Sequence, residues 1–151
     1  MRARLHQGKR WRRWIPVAML LWFVPGVLRA ADAGGSAAEA EARRILEATG
    51  VSGGLVVHLG CGDGRLTAAL GAGPGYLVHG LAADARKVVE ARRNVQSLGL
   101  YGRVSIDRLD GKRLPYVDNL VRLVVAGDLG AVPREEVMRV LAPGGVAYLR
   151  T

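Results

Sequence analysis

The residues best suited to chemistry lie in one ten-residue stretch, Leu55-Val56-Val57-His58-Leu59-Gly60-Cys61-Gly62-Asp63-Gly64, where an apolar run passes straight into three alternating glycines. Glycine takes φ values that other residues resist and carries no Cβ, so this pattern builds a bare backbone ledge for a nucleotide-like ligand. The spacing narrows the ligand. A dinucleotide fingerprint needs G-x-G-x-x-G, and Arg65 stands where its third glycine belongs, which leaves G-x-G-x-G. His58 is either a base at the pocket edge, working near neutral pH, or a strand-end hydrogen-bonding residue; the second use is the commoner one. Cys61 is the only cysteine, which excludes an internal disulfide, and it reads as a small buried residue of the glycine loop. His79 occupies an alternating strand position that packs or meets solvent, and no His, Cys, Asp and Glu cluster has metal-ligand spacing.

The elements that must position this loop follow from periodicity. Ser36 with Glu39 forms a capping box for a helix to about Thr49, with Ala38, Ala42, Ile45 and Leu46 on one face and Gly50 at its end. Strand one is Leu55 to Leu59, followed by a short helix from Arg65 to Leu70 that Gly71, Gly73, Pro74 and Gly75 stop. Strand two is Tyr76 to Leu81, apolar enough to be covered on both faces. Asp84 caps a helix with Val88, Ala91, Val95 and Leu98 inward and Gly99 ending it. Strands three and four are Val104 to Leu109 and Leu120 to Ala126. Pro133 opens a further helix at its first position, with Glu135 and Glu136 in the first turn and Val137, Val140 and Leu141 inward. Pro143-Gly144-Gly145 then launches strand five, Val146 to Arg150. Alternating strands and helices with short loops predict right-handed βαβ units, an α/β Rossmann-like three-layer sandwich with a parallel sheet of order 3-2-1-4-5.

The glycine loop resembles motif I of the class I S-adenosylmethionine-dependent methyltransferases (type 11/25-like), with His58 at the position of the usual acid. Arg139-Val140-Leu141-Ala142-Pro143-Gly144-Gly145 is similar to that family's helix-to-strand-five signature, and Arg113-Leu114-Pro115-Tyr116-Val117-Asp118-Asn119 to its loop before strand four. The resemblance implies S-adenosylmethionine as cofactor, with contacts from Gly60, Cys61, Gly62, Asp63, Gly64, Leu81, Asp110 and Gly111, and methyl transfer to an acceptor that is a small molecule or a protein. Three positions depart from the pattern. His58, Ala82 and Arg122 stand where the family carries acids; Ala82 removes the ribose acceptor, and Asp84, two residues on, reads as a helix cap. The same departures leave a second reading open, a catalytically inactive binding or interaction module. A further likeness is to large exported bacterial proteins in which such a domain precedes a pyrroloquinoline-quinone-type β-propeller.

Length and charge set the frame. One domain is expected from 151 residues. Of 22 basic residues, 7 lie in positions 1 to 30, whereas all 13 acids come later, so the net +9 reduces to +2 beyond the arm and a nucleic-acid surface is not implied. The arm orders a basic start, an apolar run Ile15 to Leu28 holding Pro16 and Pro25, and small residues around Ala31-Asp32-Ala33. That is the order of an export leader cleaved after Ala30 or Ala33, or, uncleaved, of an anchor with Trp11, Trp14 and Trp22 at the membrane interface. The expected organisation is therefore a leader over 1–33, a linker and leading helix over 34–53, and the methyltransferase-like domain over 54–151. That domain is expected to be truncated after strand five, where an open sheet edge would offer itself to a partner.

Overall fold

The computed structural model describes residues 33–150, with side chains from residue 37. The leader assigned to 1–33 falls outside the described residues except for Ala33. Five strands, β1 (Gly54–Leu59), β2 (Tyr76–Ala82), β3 (Val104–Arg108), β4 (Val121–Ala126) and β5 (Leu141–Leu149), form one sheet of order β3-β2-β1-β4-β5. Every pairing is parallel, with Val57 facing His79 on one side and Val124 on the other. The expected order stands. β1 has β2 on one flank and β4 on the other, so chain direction through the sheet reverses beside it and opens a crevice at the carboxyl ends of the strands.

Helices α1 (Ala33–Thr49), α2 (Arg65–Leu70) and α3 (Ala85–Ser97) cover one face. There Ala42, Ile45, Leu70, Val88, Ala91 and Val95 pack on Val56, Val78, Val104, Ile106 and Leu123. The other face is covered by α4 (Arg134–Val140), by the loop that leads into it from β4 and by the loop between β3 and β4, through Leu114, Val132, Val137 and Val140 on Val57, Leu59, Leu81 and Val124. The helix ends follow their residue types. Asp84 Oδ1 accepts from the Arg86 amide at 2.8 Å, and Gly99 at φ 67 closes α3 with Gly99 N–H on Gln96 and Leu100 N–H on Val95.

Four expectations are corrected. The chain is already helical at Ala33, which puts Ser36 inside α1 and not at its cap. Leu98 is 59% exposed, because it is the C-cap of α3 and lies past the last turn that meets the sheet. Pro133 has ψ 152, an extended conformation, and is the N-cap of α4, not its first helical residue. β5 starts at Leu141, directly after α4, and not at Val146. Leu141 faces Val121 and Val146 faces Leu123, so Ala142 to Gly145 bulge out opposite the single residue Arg122. Arg122 Nη1 donates to the Pro143 carbonyl at 3.1 Å, and a Cβ on Gly145 would sit 2.9 Å from the Val121 carbonyl oxygen.

Candidate active site

Gly60 turns the chain out of β1 at φ 70, and Gly62 follows at φ 54. Both are exposed; a Cβ on Gly62 would meet nothing within 4 Å, and one on Gly60 would meet only the Asp128 carbonyl oxygen at 4.0 Å. These two form the open ledge. Gly64, expected to share it, is buried under α3: at φ 80 its Cβ would lie 2.9 Å from the Ala91 Cβ. Its bareness serves close packing of the loop on the helix. The loop is fixed from below, since the Gly60 and Cys61 amides both donate to the Leu81 carbonyl, at 2.8 and 3.1 Å, and Asn94 Nδ2 donates to the Asp63 carbonyl at 2.8 Å.

The remaining predicted residues divide. Leu81 is buried, and Ala82 and Gly111 stand with it around a crevice of about 120 Å³ at the ends of β1 and β2, closed by Leu109 and by Asp128 to Val132 of the β4–α4 loop. The Cys61 side chain points into the core, and burial pushes its thiol up to about 11, so it is no nucleophile at neutral pH. The Asp63 carboxylate takes the Arg65 amide at 3.0 Å. Asp110 is 71% exposed and pairs with Arg108 Nε at 2.8 Å; it lies outside the lining of the crevice.

His58 is 6% exposed, with Nδ1 2.8 Å from Thr67 Oγ1 of α2, and burial holds its imidazolium down at about 4. The neutral ring lines a second cavity, about 220 Å³, with Glu41 of α1, Gly60, Tyr148 of β5 and Arg150. Arg150 Nη2 and Glu41 Oε1 meet there at 2.7 Å. Gly60 is thus the shared wall between an apolar crevice and a polar cavity. A larger cavity than either, about 320 Å³, is a groove among α1, α2 and α3 lined by Ala68, Ala69 and Ala72, away from the strand ends. Among the described residues no three metal-ligating side chains come together.

One cluster escaped the sequence. His79 Nε2 lies 3.0 Å from Asp107 Oδ2, its Nδ1 is 2.7 Å from the Tyr116 hydroxyl, and Arg92 holds the other Asp107 oxygen at 2.6 Å. Burial raises the Tyr116 phenol above its ordinary value, which keeps it protonated beside the ring. This chain of bonds staples the β3–β4 loop to the sheet. Alternation along β2 shows only that His79 leaves one face.

Comparison with known proteins settles the family. The profile described as a methyltransferase domain matches residues 56–145, from the middle of β1 to the bulge of β5. The chain belongs to the methyltransferase domain family. The methyltransferase GfsG of Streptomyces halstedii is 35% identical over 117 residues, covering 72% of this chain and 42% of that protein. A solved structure from Methanococcus maripaludis, described as an S-adenosylmethionine-dependent methyltransferase, superposes with a TM-score of 0.67 at 25% identity, covering 74% of this chain and 53% of its own. The [4+2]-cyclase SpnF also reaches 0.67, at 26% identity, over 76% of this chain and 44% of its own. The chain spans about half the length of these relatives or less. The likeness to proteins with a pyrroloquinoline-quinone-type propeller gains no support from these matches.

Proposed function

We propose that this methyltransferase domain binds S-adenosylmethionine over Gly60 and transfers its methyl group to an acceptor, either a small molecule or a protein. The observation that carries the reading is the arrangement of two unlike cavities on either side of one glycine. The apolar crevice beside Leu81, Ala82, Leu109 and Gly111 suits the flat adenine end, and the polar cavity beside His58 suits the amino-acid end. Glu41 and Arg150, carboxylate and guanidinium side by side, complement the ammonium and carboxylate of the methionine tail. The backbone of Gly60 to Asp63 passes beneath the join, where bare Gly60 and Gly62 leave room for a ribose.

The bound cofactor supplies an activated methyl group, and the protein supplies proximity and alignment for an in-line displacement. His58, neutral and tied to Thr67, holds the strand end and adds no negative field near the sulfonium. Titration calorimetry with S-adenosylmethionine and S-adenosylhomocysteine tests the reading: micromolar binding of both is expected, and silence up to millimolar concentrations overturns it.

The arm ahead of α1 we read as an export leader, with residues 2–13 basic and 15–28 apolar. Mass spectrometry of exported material is expected to find a mature start near Ala31 or Gly34. Intact Met1 on cytosolic protein would overturn the export reading and leave the cofactor reading standing.

A further inference from the structure

We propose that Asp128 is the carboxylate that receives the ribose hydroxyls of the cofactor, replacing the acid this chain lacks at Ala82. The assignment rests on the cofactor reading above. A ribose lying over Gly60, at the edge of the adenine crevice, offers two hydroxyl donors, and the lining there must answer them with an acceptor. Twelve residues line it, and Asp128 is the only one with a polar side chain; the others are Gly, Ala, Leu or Val. Of the nearby carboxylates, Asp63 holds Arg65 and Asp110 pairs with Arg108, while Asp84, which gives one oxygen to the Arg86 amide of α3, lies outside the lining of the crevice. Asp128 gives Oδ1 to the Gly130 amide at 2.9 Å and joins no salt bridge among the described residues, which leaves Oδ2 uncommitted.

Position supports the same role. The Asp128 carbonyl oxygen is the single atom within 4 Å of where a Gly60 Cβ would be, so Asp128 stands opposite the shared wall of the two cavities. The ribose is the middle of the ligand and passes that wall. Asp128 also lines an adjoining cavity of about 220 Å³ with Arg134 and Arg150, placing it at a junction and not in a closed core. The turn at Gly130 needs only one oxygen, which asparagine supplies equally. A carboxylate is more than the turn requires.

The test uses the full chain, Asp128→Asn and Asp128→Ala, titrated calorimetrically with S-adenosylhomocysteine and its 2′,3′-dideoxy analogue. Wild type is expected to bind the dideoxy analogue about ten- to a hundredfold more weakly, the scale of charge-assisted hydrogen bonds. Both variants should bind the parent ligand more weakly by that factor and lose the discrimination, and Asp128→Asn should keep the wild-type thermal midpoint without ligand. Variants that bind the parent as wild type does, or that weaken yet still discriminate, overturn the role of Asp128 and leave the cofactor reading intact. No binding of the parent ligand by wild type overturns both.

Discussion

His58 shows how one residue type rewrites a site. Its ring is shut between β1 and α2 with Thr67 on Nδ1, and burial lowers its protonation from 6.5 to about 4. Between those values the unfolded chain holds a proton that the folded chain refuses, so stability rises with pH through that window and is complete above it. The loss on acidification amounts to about 3 kcal/mol by linkage. Urea unfolding at pH 4.5 and pH 7 is expected to show this slope in wild type, and His58→Leu should flatten its share. The glycines make a second contrast. Gly62→Ala strains a left-handed residue in open space and should cost about 1 kcal/mol, whereas Gly64→Ala adds an overlap with Ala91 and should cost about 3 kcal/mol. Equal losses in thermal unfolding would mean that the buried glycine is not pressed on α3.

Arg139 plays the corresponding part among the elements. From α4 it donates to Glu136, to Asp118 and to the carbonyls of Leu114 and Tyr116, while Glu136 accepts the Leu114 amide at 2.8 Å. Hydrogen bonds from the guanidinium hold Glu136 down at about 2, so the stability this tie lends is complete above the ordinary carboxylate value and is lost as pH falls from there through about 2. Arg139→Ala should lower the thermal midpoint and open the loop to trypsin at Lys112 and Arg113, read by mass spectrometry after brief digestion. Unchanged cleavage would show that Tyr116 and His79 hold the loop alone. Much of this level was legible in the sequence. The capping by Asp84 and the glycine ends of α1 and α3 follow from local pattern, because one residue type satisfies one backbone need, and the strand order follows from the alternation of strands and helices. What stayed hidden depends on partners far apart in the chain. Periodicity placed His79 on a strand but could not bring it to Asp107 and Tyr116. Proline and two glycines read as a break, although Arg122 lets them bulge inside β5. The site divides in the same way: the ledge at Gly60 and Gly62 was visible from spacing, whereas Asp128 reaches it only because β4 lies beside β1.

At the scale of the molecule, the sheet brings the loops after β1, β2, β3 and β4 around one crevice, and three positions where the family carries acids hold His58, Ala82 and Arg122. On the role proposed for Asp128, affinity for an adenosyl ligand depends on where a carboxylate stands, not on which strand carries it. Ala82 is 6% exposed at the end of β2 and shares the crevice with Asp128. An aspartate placed there would cost stability in the free protein, since a carboxylate would sit in an apolar wall without a partner. Ligand binding repays that cost by satisfying the charge with hydroxyl donors. Ala82→Asp in the Asp128→Asn background is therefore expected to lower the thermal midpoint without ligand and to restore the affinity for S-adenosylhomocysteine that Asp128→Asn loses. Ligand at a hundred times its dissociation constant should then add about 2.7 kcal/mol of stability to the double variant. A double variant that remains as weak as Asp128→Asn would place the ribose away from the end of β2, and with it the adenine crevice.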